Sequence, residues 1–353
     1  MRKRLTYTGA GVDREIRQKA KSALGMLTQT YKYNPYGDVV QLPYGNIFSF
    51  QDGYLDLAIE GVGTKVLVAQ LADKYDTIGI DGVAMAVNDV IRSGARPIAI
   101  ADNIHAQISD PSLVRNLIEG IVKGAEESQC IVAGGEIGDV PDLIKGLEKG
   151  RGFDLVVSCV GVASKDRIIL GNDIKQGDAV VGLRSSGIHS NGITLARKAL
   201  FKKWGGKFEP HDVPTGLDRE LVREILEPTR IYAKSLQEVM KQSRVKGTVH
   251  ITGDAYLKFS RLMQFSKNVG FEFTNIKPQP IFELIQRTAN ITDEEMLKTF
   301  NMGWGFAIII EHDEADNVLD TLERANVEAE IIGKAISTRK IVAHYGERRI
   351  ALS

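Results

Sequence analysis

Net charge is missing from this chain: 45 lysines and arginines are cancelled by 45 aspartates and glutamates. No global field therefore draws it to nucleic acid or to an anionic membrane, and any recognition of phosphate has to be local. Cysteine is nearly absent. Cys130 and Cys159 cannot build a disulfide framework, and both lie in apolar stretches (QCIVAGG, VVSCVGV) where a thiol packs as a small, inert hydrophobe. Neither has a partner at metal-ligand spacing, which argues against zinc. No apolar run reaches membrane-spanning length, and the opening MRKRLTYTGAGVD lacks the apolar centre of a signal peptide, so a reducing cytoplasm is the expectation. A G-x-G-x-x-G turn after a strand and a G-x-S-x-G elbow are missing too, which argues against dinucleotide-binding and hydrolase readings.

What is present is glycine, 35 residues of it, clustered at the ends of hydrophobic runs as strand-to-helix turns require. The 353 residues suggest about two domains, read here as 1–170 and 171–353, both α/β. A helical stretch is expected over Ile16 to Thr30, with TYKYNPYGD as a surface loop. A strand at 55–59 leads through EGVGTK into a helix to about residue 73. IGIDGVAMAVNDVIRSG reads as a short apolar piece followed by a helix, because Val83, Ala86, Val87, Val90 and Ile91 recur at three and four residues. Gly94 ends that helix and Pro97 follows it. CIVAGGE reads as a buried strand with a glycine turn, and LVVSCVGVA as another strand. The second half opens as strand, Ser/Gly-rich turn and helix (AVVGLRSSGIHSNGITLARKALF) and closes as strand–helix–strand.

EGVGTK (60–65) is not a P-loop, since its hydroxyl precedes its lysine and no glycine stands at the first P-loop position. It places an acid, Glu60, at a strand end, then Gly61, Gly63, Thr64 and Lys65. Asn88 and Asp89 fall on a helix whose other face is apolar. Asp89 reads either as a solvated helix residue or as a cation ligand, for burying an unpaired carboxylate is costly. With Glu60 and Asp81 it makes a candidate magnesium–nucleotide site. In GGE, the amides of Gly134 and Gly135 could face an anion and Glu136 a cation or sugar hydroxyl; an ordinary turn is the alternative. In SSGIHSNG, residues Ser185, Ser186, Gly187, Ser190 and Asn191 crowd a helix N-terminus that suits phosphate, or else simply cap the helix. His189 among them is a candidate for contacting phosphate or moving a proton, and His250 of HITGD (250–254) is a weaker one.

The order of these motifs, with YTGAGVD at the start, Asp89 to Pro97 (D-x-x-x-x-G-A-x-P), EPTRIYAK (227–234) and FNMGWGF (300–306), resembles the aminoimidazole ribonucleotide synthetase family, also called phosphoribosylformylglycinamidine cyclo-ligase. The resemblance spans Tyr7 to about Ile336. It implies a two-domain α/β protein whose N-terminal domains share a barrel at a homodimer interface. It also implies ATP and Mg²⁺ held around Glu60, Thr64, Lys65, Asp89 and GGE, and a substrate phosphate near the Ser/Gly-rich turns. The implied reaction is ATP-dependent closure of formylglycinamidine ribonucleotide to aminoimidazole ribonucleotide. Two alternatives accompany it: another ATP-dependent enzyme of the superfamily acting on a small phosphorylated substrate, and a silent nucleotide-binding paralogue. The chain departs from the family's pattern at Glu60 (usually aspartate), Ile137 (threonine), Asp254 and Ala255 (glycines), and in QLPYGNIFSF, which replaces a glycine-rich loop.

Overall fold

The structure, a computed structural model, describes residues 4–352. Its first half runs α1 (Arg14–Lys21), β1 (Val39–Leu42), β2 (Gly45–Phe50), β3 (Gly53–Gly61), α2 (Lys65–Ala72), α3 (Asp76–Val90), β4 (Arg96–Ala106), α4 (Pro111–Ser128), β5 (Ile131–Asp139) and β6 (Phe153–Ser164). These strands form one sheet in the order β1-β2-β3-β6-β4-β5, in which only β4 and β5 run parallel. The second half runs β7 (Ala179–Arg184), α5 (Ile193–Leu200), α6 (Leu221–Ile225), α7 (Ala233–Gln242), β8 (Gly247–His250), α8 (Phe259–Phe265), β9 (Gly270–Phe273), α9 (Pro280–Ala289), α10 (Asp293–Thr299), β10 (Trp304–Ile310), α11 (Ala315–Arg324), β11 (Ala329–Ile336), β12 (Ile341–Tyr345) and β13 (Arg348–Ala351). Its sheet is ordered β13-β12-β9-β11-β7-β10-β8. No helix among the described residues is long and apolar enough to cross a membrane.

The helix α3 positions the site. All five apolar residues expected on its buried face are fully buried. It starts earlier than expected, at Asp76, because Ile78 continues the same face instead of forming a strand. Against α4 the two backbones nearly touch: a Cβ on Gly79 would lie 2.2 Å from the Leu117 carbonyl oxygen, and one on Gly120 would lie 2.3 Å from that of Asp76. Only glycine permits that approach. Gly94, at φ +86°, ends the run after one 3₁₀ turn.

Two expectations need correction. The N-terminal helix stops at Lys21, and residues 22–33 continue as 3₁₀ turns with no buried residue. There Thr28 and Thr30 donate their hydroxyls to carbonyls three residues back, competing with a longer helix. GGE is not a turn in a buried strand. It lies within β5, an exposed edge strand, and the register shift opposite Ile100 and Ala101 accommodates Ala133 as an extra residue. Gly135 is required there, since a Cβ would sit 2.5 Å from Asp102 Oδ1.

Helices cover one face of the first sheet only. The other face exposes Leu57 (56 %) and Ile59 (68 %) of β3 and Val162 of β6, while Ile131 (65 %) and Val132 lie exposed on β5.

Candidate active site

Two polar residues of α3, Asp81 and Asn88, reach into the second half and bond to it. Asp81 is fully buried and takes the Lys65 ammonium at 2.8 Å on Oδ2; on Oδ1 it accepts the Thr229 amide (2.8 Å), the Thr229 hydroxyl (2.7 Å) and the Ser190 hydroxyl (3.1 Å). Lys65 also donates to the Glu227 carbonyl at 2.7 Å, and burial lowers the pKa of its amine. Asn88 donates to the Arg230 carbonyl (2.8 Å) and accepts the Tyr232 amide (3.0 Å). These side chains fasten the EPTRIY segment to α3. The polar atoms of Lys65, Asp81 and Asn88 make these internal bonds in this structure. Gly61 and Gly63 lie exposed beyond them, and Thr64 pairs with the Thr194 hydroxyl at 2.9 Å.

Asp89, one residue further on, turns the other way into a cleft of about 630 Å³. Its walls are the end of β3, the C-terminal end of α3, α1, the HITGD turn and α8. Asp89 Oδ1 lies 2.8 Å from His250 Nδ1 and Oδ2 lies 2.8 Å from Arg92 Nη2. Burial pushes the Asp89 carboxyl up, but the Arg92 guanidinium, the His250 hydrogen bond and the Lys258 ammonium outweigh it and hold the group well below the usual carboxylate range. Glu60 behaves in the opposite way: burial, and then the adjoining Asp89 charge, push its carboxyl up to about 7. Two buried carboxyl groups side by side cannot both ionise freely, so Glu60 favours its protonated form. Burial depresses His250 to about 4 and Lys258 to about 8. Lys258 donates to the His250 carbonyl at 3.2 Å and to the Thr252 hydroxyl. The Arg92 guanidinium also lies 4.8 Å over the Tyr44 ring, whose hydroxyl donates to the Lys258 carbonyl at 3.2 Å. Beside this cluster a second cavity of about 200 Å³ includes Asp56, whose carboxyl burial raises to about 6.

Of SSGIHSN, only Asn191 lines the cleft. The Ser185 hydroxyl donates to Asn301 Oδ1 (3.1 Å), that of Ser186 to the Pro228 carbonyl, and the Gly187 carbonyl accepts from Asn301 at 2.9 Å. His189 is buried at φ +64°; its Nε2 accepts the Ser186 amide (3.3 Å) and its Nδ1 has no partner. Burial holds this imidazole neutral, well below its ordinary pKa. Gly134, Gly135 and Glu136 lie on β5, with β4 and β6 between them and β3, so within one chain they do not meet Glu60 and Asp89.

The donor set suits magnesium. Glu60 and Asp89 offer oxygen only and both line the cleft; magnesium takes one or two carboxylates and completes its shell with water and phosphate oxygens. No group of three His, Cys, Asp or Glu able to hold a metal occurs among the described residues, so no protein cage substitutes for those outside ligands.

Sequence reasoning missed Arg92, Lys258, Asp56 and the cleft-lining Arg17, Lys21 and Arg261. Arg92 carried a signal, since it stands three residues after Asp89 on one helical face. The others come from distant segments that only the fold brings together.

The chain matches the family models for the AIR synthase related protein N-terminal domain over residues 46–163 and C-terminal domain over residues 175–346. It is 38% identical to a phosphoribosylformylglycinamidine cyclo-ligase of Methanocaldococcus jannaschii, over 99% of this chain and 99% of that one. It is likewise 38% identical to the protein of that name from Pyrococcus horikoshii, over 97% of this chain and 99% of that one. Among solved structures, it resembles a HypE-HypF complex with a TM-score of 0.62 at 15% identity, covering 97% of this chain and 99% of that one. It also resembles T. maritima PurL complexed with ATP, with a TM-score of 0.56 at 17% identity, covering 86% of this chain; it spans less than half (44%) of that longer chain. At such identities the structural likeness is one of fold.

Proposed function

The chain belongs to the AIR synthase related family, and on that premise we propose that it is a phosphoribosylformylglycinamidine cyclo-ligase. Its reaction closes formylglycinamidine ribonucleotide to aminoimidazole ribonucleotide, converting ATP to ADP and phosphate. The observation that carries the reading is the Glu60–Asp89 carboxylate pair inside a cleft that five cations also line.

An amide oxygen is a poor leaving group. ATP is therefore used to phosphorylate the formyl oxygen; the amidine-side nitrogen then attacks the formyl carbon, phosphate departs, and loss of a proton completes the imidazole. Such a reaction needs positioned charge more than a protein nucleophile. Magnesium, held by Glu60 and Asp89, would neutralise nucleotide phosphate oxygens. Lys258 and Arg92 present fixed positive charge toward the departing phosphate. His250 bonds through Nδ1 to Asp89, and its buried Nε2 has no protein partner. It is as enclosed as His189 and does not line the cleft, so we assign it to holding Asp89 in place rather than to direct proton transfer. Asn191 is assigned to the substrate.

We read residues 1–170 and 171–353 as two domains, a division supported by their separate sheets. We also read the working unit as a homodimer in the cytoplasm. The bare apolar face of the first sheet supports a second copy packing there. Incubating the purified chain with formylglycinamidine ribonucleotide, ATP and Mg²⁺ is expected to yield aminoimidazole ribonucleotide and ADP in equal amounts. Nucleotide binding with no such product near neutral pH would leave a superfamily enzyme with another substrate, or a silent paralogue.

A further inference from the structure

Apart from Arg92 and Lys258 beside Asp89, the cleft lacks an assigned grip for phosphate. The Ser/Gly-rich turn expected to supply one is locked into the interior through Asn301, Pro228 and Asp81. Charge gathers elsewhere. Five cations (Arg17, Lys21, Arg92, Lys258, Arg261) line the cleft against three carboxylates (Glu60, Asp89, Asp254), although the whole chain is neutral. Arg92 and Lys258 are engaged around Asp89. The other three belong to the rim, on α1 and α8.

Arg17 and Lys21 are four residues apart on α1, so they project from one helical face. That helix is held in place by its neighbour Arg14, which pairs with Glu295 (3.1 Å) and donates to the Lys298 carbonyl (2.9 Å) and the Thr299 hydroxyl (2.7 Å) of α10. Among the described residues Arg17 pairs with Asp254 alone, at 2.7 Å, partly exposed on both sides, and the same carboxylate oxygen lies 3.5 Å from Arg14 Nε. An ion pair so open to water contributes little, and a dianion can displace its carboxylate. Among the described residues, Lys21 and Arg261 have no ion-pair partner within 4.0 Å. Asp254 itself sits at φ +68° on the HITGD turn, between α1 and α8.

We propose that α1 and α8 form a two-sided phosphate clamp, Arg17 and Lys21 on one side and Arg261 on the other, with Asp254 holding Arg17 until a phosphate takes its place. The ligand is a phosphate group with two doubly anionic sources in this cleft: the ribose phosphate of the ribonucleotide substrate, or the polyphosphate of the nucleotide. The clamp rests on the cyclo-ligase reading only for the identity of the first source.

The test is calorimetric titration of ribose 5-phosphate and, separately, of ADP with Mg²⁺, into wild type and into Arg17→Ala/Lys21→Ala and Arg261→Ala. The three side chains lie at the surface, so the variants are expected to fold, and far-ultraviolet circular dichroism checks it. Both variants are expected to weaken the same one of the two ligands by about ten-fold or more, the loss shrinking with added salt, and Arg17→Lys is expected to recover part of it. The ligand affected names the source. If neither ligand weakens by more than about two-fold, or wild type binds neither, the clamp is wrong. Failure of the cyclo-ligase reading would show separately, as wild type that makes no aminoimidazole ribonucleotide while the clamp variants still lose phosphate affinity.

Discussion

Glu60 holds a proton in the folded protein that the unfolded chain gives up near 4.5, because burial and the Asp89 charge raise its carboxyl to about 7. Between those two values the native state binds more protons than the unfolded one, so this group's contribution to stability falls as pH rises through the window. His250 works in the opposite direction: its imidazole, lowered to about 4, stays unprotonated where the unfolded residue titrates at 6.5, and its contribution is lost as pH falls between those values. Glu60→Gln removes only the first effect. Without nucleotide or magnesium, the variant is expected to match wild type at about pH 5 and to be more stable by up to about 3 kcal/mol at about pH 8, as denaturant unfolding would read. An equal difference at both pH values would mean that Glu60 is not held protonated in the folded protein. At this scale sequence alone picked out Glu60 and Asp89, since a carboxylate set against apolar neighbours needs a partner. It could not tell Asp81 from Asp89. Both lie on α3, and only the fold puts Lys65 and Thr229 against one and the open cleft against the other.

The element that matters most is α3. Its apolar face was readable from the three-and-four spacing, and its end from Gly94. What spacing cannot reveal is that Gly79 and Gly120 exist to bring α3 and α4 into backbone contact. Gly120→Ala would place a methyl 2.3 Å from the Asp76 carbonyl oxygen, and the helices would have to separate. A loss of about 3 kcal/mol or more is expected in a guanidinium melt, larger than an exposed helical Gly→Ala change, which ordinarily stabilises. A neutral or stabilising result would show that the two helices can shift freely. The glycine pair in β5 was misread for a related reason: two glycines before an acid are the local signature of a turn, and nothing local reports the close approach of Asp102.

For the molecule as a whole, the unpaired sheet face sets the expectation. Leu57 and Ile59 point away from α3, on the side opposite Asp56 and Glu60, so changing them leaves the cleft wall in place. If the proposed homodimer packs on this face, Leu57→Asp/Ile59→Asp is expected to leave a monomer in sedimentation velocity, while circular dichroism stays unchanged. A dimer that survives both charges would place the contact elsewhere. If the monomer also loses turnover, a second copy completes the site.

The chain by itself determined the alternation of strands and helices, the neutrality that makes any phosphate recognition local, the family, and the two carboxylates of the cleft. Those properties follow from periodicity, composition and motif order, which are written residue by residue. The tertiary structure alone decided which acids are spent on internal bonds, that His250 braces Asp89, and that cations from α1 and α8 gather at one rim. Arg17 and Arg261 stand 244 positions apart in the numbering, and no local pattern relates them. Their meeting depends on Arg14 anchoring α1 to α10 and on the HITGD turn lying between the two helices.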